Sequence, residues 1–163
     1  MIIHIKNKDK LIINDFKFKC CIGKKGVKKH KIEGDFSTPK GIFSIGYLYY
    51  RKDRVKKPYT NLRTKIIKTN MGWCNDSEHK FYNKEIKIQK KIHYEKLHRK
   101  DYKYDYLLVI NYNVNKTIPN KGSAIFLHLT ENYYPTEGCI ALKKKDFLIL
   151  LKLINKKTKI KIY

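Results

Sequence analysis

Helical spacing of apolar residues is convincing in one segment of this chain, and that confines the fold to one built mainly from strands. From Lys143 to Lys157 the residues Phe147, Leu148, Leu150, Leu151 and Ile154 fall at i, i+1, i+3, i+4 and i+7, the stripe of a helix with one buried face. Asp146 near its start and Lys156 and Lys157 at its end have the charges the helix dipole favours. Elsewhere the apolar residues alternate or form short runs: Met1 to Ile5, Leu11 to Ile13, Phe16 to Ile22, Gly41 to Tyr50, Asp105 to Asn111, Ala124 to Leu129 and Lys159 to Tyr163. Turn formers separate them, as in Asn7-Lys8-Asp9, Asn14-Asp15 and Asn120-Lys121-Gly122-Ser123, and Pro39 followed by Gly41 marks a turn feeding a strand. Arg51 to Tyr104 is polar and without period, long for a loop, and loops of that length are functional or hide structure of their own. With no internal repeat and no linker, the 163 residues are expected to form one mainly β domain with α, a β-rich α+β fold spanning residues 1–163.

Composition narrows the function classes. Apolar residues make up 42% of the chain, enough for a core without disulfides or metal. No run of 18 apolar residues exists, so no spanning helix is expected, and the first ten residues lack the apolar stretch of a secretory signal. The net charge of +24 points either to an anionic partner or to a general lysine bias, because the lysines are spread over nearly every segment. A basic nucleic-acid-binding module is one reading of that charge and the 13 tyrosines, but no known nucleic-acid-binding signature accompanies them. The run Lys24-Lys25-Gly26-Val27-Lys28-Lys29-His30-Lys31 lacks the spacing of a phosphate-binding loop and reads as a solvated basic loop.

The four cysteines, Cys20, Cys21, Cys74 and Cys139, include no Cys-x-x-Cys pair, and His93 and His98 are five apart and share no helix face; no metal site and no cofactor are expected. Cys20 and Cys21 are adjacent, so one is expected inward and the other on the opposite face. Cys139 stands apart. It follows Gly138, eleven residues after His128, which ends an apolar strand. A thiol is a nucleophile as thiolate, and an imidazole within reach can take its proton and return it to a leaving amine. Gly138 allows close approach of a carbonyl, and the N–H groups of Gly138 and Cys139 could receive the oxyanion. Taken by spacing alone, the same residues also suit a small buried cysteine and a structural histidine.

The order of several motifs adds to this. His128 with Thr136-Glu137-Gly138-Cys139, Gly34-Asp35-Phe36-Ser37-Thr38-Pro39-Lys40-Gly41-Ile42-Phe43, Gly72-Trp73-Cys74-Asn75-Asp76 with Tyr82-Asn83, and Tyr104-Asp105 to Tyr112-Asn113 together resemble, in order, the YkuD-type L,D-transpeptidases, in particular a divergent bacterial branch. The resemblance implies a β-sandwich with a helix after the nucleophile, Cys139 and His128 as the catalytic pair, Gly138 as oxyanion backbone, and Thr136, Tyr134, Trp73 and Asp76 at the substrate. Trp73 serves equally well as a buried anchor. The implied reaction is acyl transfer on peptidoglycan stem peptides in the periplasm or cell envelope, by a monomer with no cofactor. It makes 3→3 cross-links or, with water as acceptor, acts as an L,D-carboxypeptidase. Three positions depart from the usual pattern: Glu137 replaces a histidine, Leu129 a glycine and Ala141 an arginine, for which Lys143 or Lys144 could substitute.

Overall fold

The alternating runs become strands, and their register shows what the alternation encodes. The computed structural model describes residues 1–163. Its strands are β1 (Ile2–Lys6), β2 (Lys10–Ile13), β3 (Phe16–Lys19), β4 (Val27–Lys28), β5 (Thr38–Pro39), β6 (Gly41–Tyr50), β7 (Thr64–Ile66), β8 (Met71–Cys74), β9 (Glu85–Lys87), β10 (Tyr94–Lys96), β11 (Tyr106–Ile110), β12 (Phe126–Leu129), β13 (Ile140–Leu142) and β14 (Lys159–Ile162), with helix α1 (Lys144–Leu153) between the last two. The main sheet runs β13-β12-β11-β6-β14-β1-β2-β3, with β7 alongside β6, and a separate small sheet runs β10-β8-β9.

Strand β6 belongs to both halves of the main sheet. Gly41 to Ser44 pair with β14, and Ile45 to Tyr50 pair with β11, across a bulge between Leu108 and Ile110. The halves face each other over one core. Ile3, Ile5, Leu11, Ile13, Ile160 and Ile162 come from one side, and Leu108, Ile110, Leu127, Leu129, Ile140 and Leu142 from the other. This is the sandwich arrangement, with two inner faces alternating along each strand. The open edges meet as well. Beyond β3, Cys21 exchanges two backbone hydrogen bonds with Ala141, of 3.0 and 2.9 Å, so the sheet closes on β13. Helix α1 packs Phe147, Leu150 and Leu151 into the same core, each side chain contributing about 1.5–3 kcal/mol by burial.

Strands β11 and β12 are buried on both faces, as continuous apolar runs demand. Their second face, with Leu107, Val109 and Phe126, packs on Trp73 and Met71 of the small sheet. The segment read as irregular, Arg51 to Tyr104, thus holds β7 to β10. The helix is shorter than its apolar stripe: Ile154 is extended at φ −102° and ψ 158°, so Lys156 and Lys157 lie beyond its end. The strand expected to reach Ile22 stops at Lys19. Cys20 enters the main core and Cys21 lies outside it, as their adjacency implies, and both are buried because the closing edge covers Cys21; all four cysteines are free thiols. Lys31, read as solvated, is 4% exposed and paired with Asp35 at 2.6 Å. No helix is long and apolar enough to cross a membrane.

Candidate active site

The parallel pairing of β12 with β13 places the two predicted reactive residues on one face. Leu127, His128 and Leu129 lie opposite Ile140, Ala141 and Leu142. Leu127, Leu129, Ile140 and Leu142 enter the main core, so the alternate positions Phe126, His128, Cys139 and Ala141 face the other way. Cys139 stands one step before β13 and takes the Phe126 N–H on its sulfur at 3.3 Å. It sits diagonally from His128 across neighbouring parallel strands. Both line one cavity of about 500 Å³, together with Glu95, Arg99, Tyr104, Thr136 and Gly138.

The protonation of the pair follows from its surroundings. His128 Nδ1 lies 2.9 Å from the Leu129 carbonyl, which can only accept, so Nδ1 carries the hydrogen and Nε2 keeps its lone pair. Burial lowers the His128 pKa to about 4, helped by Lys103 and Arg99 and opposed by the Leu129 hydrogen bond. The Cys139 thiol is pushed up, first by burial and then by the Glu95 charge, while the Phe126 N–H pulls it down. Its S–H donates to the Ala124 carbonyl at 3.2 Å. The resting site therefore pairs a neutral imidazole with a neutral thiol.

The loop that carries the thiol is fastened by the block read as Thr-Pro-x-Gly. Thr38 Oγ1 accepts from the Gly23 N–H at 2.9 Å and donates to the Gly138 carbonyl at 2.8 Å. Gly138 has φ +143°, and a Cβ there would lie 2.8 Å from the Ser37 carbonyl oxygen, so only glycine fits. Thr136 Oγ1 donates to the Cys139 carbonyl and accepts from the Gly138 N–H at 3.2 Å. That engagement leaves the Cys139 N–H, which meets no protein acceptor, as the free donor of the two expected at an oxyanion. Asp35 holds the same block from behind. Its burial opposes ionisation, but the Lys31 ammonium and the Ser37 and Ile32 N–H groups keep its carboxylate well below the usual range.

Thr136 and Tyr134 both border the cavity, Tyr134 with 75% of its surface exposed. Trp73 and Asp76 do not. Trp73 is 5% exposed, donates its indole N–H to Asn83 Oδ1 at 2.9 Å and meets Phe126 edge-on at 5.2 Å, which makes it the anchor of the small sheet. Asp76 turns to the Glu78 N–H at 3.2 Å. Lys143 and Lys144 also stand outside; the cations on the cavity wall are Lys31, Arg99 and Lys103. The spacing gave no sign of Glu95 or of the Tyr104 hydroxyl that donates to it. Burial raises the Glu95 carboxyl, Tyr104 and Arg99 lower it, and Glu137 and Glu33 raise it again.

The sequence profile of the YkuD family, described as the L,D-transpeptidase catalytic domain, matches residues 2–162. Among solved structures the chain is similar to the helical cell shape determining protein Pgp2 from Campylobacter jejuni and to a point mutant of it, at 18% identity and with TM-scores of 0.53 and 0.50. Those alignments cover 99% of this chain and 46% of the Pgp2 chains, so the chain spans about half the length of these structural relatives. No curated protein matches its sequence significantly.

Proposed function

Because the chain belongs to the YkuD family of L,D-transpeptidase catalytic domains, we propose that it is a cysteine acyltransferase acting on peptidoglycan stem peptides in the cell envelope. The observation that carries this reading is the placement of Cys139 and His128 on one face of adjacent strands, lining one cavity, with the imidazole tautomer fixed by Leu129.

The Cys139 sulfur attacks the carbonyl between the third stem residue, a diamino acid, and the terminal D-alanine. Nε2 of His128 takes the thiol proton as the S–C bond forms. The carbonyl oxygen gains charge and is received by the Cys139 N–H. Collapse breaks the C–N bond, and the imidazolium gives its proton to the departing D-alanine amine. The thioester keeps the acyl group activated, so the second half-reaction needs no external energy source. An amine of a neighbouring stem attacks, loses its proton to His128, and the thiol returns with a 3→3 cross-link formed. Water in place of the amine gives an L,D-carboxypeptidase on the same site.

Incubation with a carbapenem followed by intact-mass spectrometry tests the nucleophile: a single adduct is expected, absent in Cys139→Ala. Muropeptide analysis then separates the two acceptors, since cross-linked dimers mark the transferase and free tripeptides the carboxypeptidase. Failure of well-folded chain to form an adduct, together with stems left intact, would overturn the assignment.

A further inference from the structure

Lysine supplies nearly all the positive charge of this chain. Only four of its 38 basic residues are arginines, Arg51, Arg54, Arg63 and Arg99, and three of the four meet in one place. Arg51 directly follows β6 and is 5% exposed. Its Nε and Nη2 donate to the two oxygens of Asp53 at 2.9 and 2.7 Å, which aims Nη1 at the Arg99 carbonyl, 2.6 Å away. Arg54 Nη1 donates to the carbonyls of Lys100 and Asp101 at 3.0 and 2.9 Å, and its Nε stands 3.2 Å from the buried carboxylate of Asp105. Three successive carbonyls of segment 99–105, which joins β10 to β11, thus end on two guanidinium groups. A surface connection has water for its carbonyls and needs no such donors. A planar fork can serve two carbonyls and a carboxylate at once, which the single ammonium of a lysine does poorly. Neither Arg51 nor Arg54 lines the catalytic cavity, so what they serve is the segment they hold.

That segment reaches the imidazole from two sides. The Tyr104 ring meets His128 edge-on, with centroids 5.4 Å apart. The Lys103 carbonyl accepts the Leu129 N–H at 3.0 Å, and Leu129 is the residue whose own carbonyl fixes His128 Nδ1. Two residues on, the Glu131 N–H donates to the Tyr102 hydroxyl at 3.1 Å. The charges that act on His128, those of Lys103, Arg99 and Asp101, belong to the same segment. Arg99 is itself fixed: its Nε and Nη2 donate to Asp101 at 2.9 and 2.6 Å, and its guanidinium lies 5.1 Å over the Tyr104 ring.

We propose that Arg51 and Arg54 are positioning residues for His128: from outside the cavity they fix segment 99–105, and that segment fixes the imidazole and keeps it dry. This deepens the acyl-transfer reading and rests on it for what His128 does. Asp53 is the buttress of the device, because it sets the direction of the Arg51 fork.

The test uses the full chain and reads the histidine directly. Imidazole NMR titration, with the signal assigned by comparison with His128→Gln, gives the His128 pKa in wild type, Arg51→Lys, Arg54→Lys and the control Arg63→Lys, after thermal melts identify which variants are folded. Lysine keeps the charge, so a change reports the lost fork and not a lost charge. Burial is the chief cause that holds His128 at about 4. A freed segment admits water, so in Arg51→Lys and Arg54→Lys the value is expected to rise by about one pH unit or more toward the ordinary histidine value, with Arg63→Lys unchanged. With a tetrapeptide stem as substrate, kcat should fall about tenfold or more in the two variants while KM holds, the scale on which a small misplacement of a catalytic group is felt. Folded variants whose His128 titrates as in wild type overturn the proposal, because a clamp that is merely structural lowers the melting temperature and leaves the titration alone. If neither variant folds, amide exchange in wild type decides: the Leu129 and Glu131 N–H groups are expected to open together with those of Arg51 and Asp105, and separate opening of the first pair overturns the link. The titration needs no substrate, so a chain that processes no stem fails the acyl-transfer reading and leaves this test standing.

Discussion

At the scale of the residue, the environment of His128 makes a quantitative statement about pH. Its folded pKa of about 4 lies below the ordinary histidine value of about 6.5. Below pH 6.5 the unfolded chain binds a proton that the folded chain refuses. Stability from this group is thus complete above pH 6.5 and is lost as pH falls toward 4, by about 3 kcal/mol in total. Urea denaturation of wild type and His128→Gln at pH 7 and pH 4.5 should show the variant losing less stability on acidification; parallel losses would mean the histidine is not held neutral. In the proposed mechanism the same value sets catalysis, because the base must be unprotonated. The acidic limb of kcat/KM for stem hydrolysis is expected near pH 4 and not near pH 6.5. Gly138 gives a second prediction at this scale. Gly138→Ala puts a Cβ 2.8 Å from the Ser37 oxygen at φ +143°, so a loss of about 1–3 kcal/mol in the urea midpoint is expected. Turnover should fall with it, since Gly138 directly precedes the proposed nucleophile Cys139; an Ala variant with wild-type stability would contradict the close approach.

At the scale of the element, the small sheet β10-β8-β9 builds one wall of the site, and Asn83 ties it there. Asn83 is 1% exposed and fully bonded: Oδ1 accepts from the Trp73 indole at 2.9 Å and from the Ala124 N–H at 3.0 Å, and Nδ2 donates to the carbonyls of Tyr112 and Asn113 at 2.9 and 2.8 Å. Ala124 is the residue whose carbonyl receives the Cys139 thiol, so the link runs from the small sheet to Cys139. Asn83→Ala strands several buried groups at once and should cost about 3 kcal/mol or more, with Cys139 alkylated faster by iodoacetamide as its surroundings loosen. Unchanged melting would show that the tie carries no load. This sheet is also where the sequence was hardest to read. Its flanking strands, Glu85–Lys87 and Tyr94–Lys96, are three residues long and carry two charged residues each, too short for a period of two to emerge. Glu95 was invisible for the same reason: nothing in Tyr-Glu-Lys sets it apart until β8 brings it to the cavity. By contrast His128 and Cys139 were singled out by a Gly-Cys step eleven residues after a histidine that ends an apolar strand and by the ordered motifs around them, and the pairing of β12 with β13 puts both on the face away from the main core. Trp73 was readable as an aromatic anchor or as a cleft residue, and only its distance from the cavity separates the two.

At the scale of the whole molecule, the charge of +24 has little to balance it. The ion pairs are few and mostly at the surface, and the majority of the lysines have no carboxylate beside them. Surface pairs of this kind contribute about 0–1 kcal/mol each, whereas unscreened like charges repel across the entire fold. Screening at about 0.1 M salt already limits that repulsion to about 10 Å, and at about 1 M to about 3 Å. The protein should therefore grow more stable as salt is added, with the urea midpoint at pH 7 rising between low salt and about 0.5 M NaCl. A falling midpoint would mean that the ion pairs outweigh the repulsion. The same titration separates generic charge from specific function. Binding to an oligonucleotide through scattered lysines loses affinity steeply with salt, with a slope set by the number of phosphates neutralised. The proposed turnover of a short stem peptide, in a cavity where two of the three lining cations, Lys31 and Arg99, are already paired to Asp35 and Asp101, is expected to show little such dependence. Turnover is expected to change by less than about twofold over a salt range in which oligonucleotide binding vanishes. If turnover instead falls in step with that binding, the exposed lysines and not the cavity would be recognising the substrate.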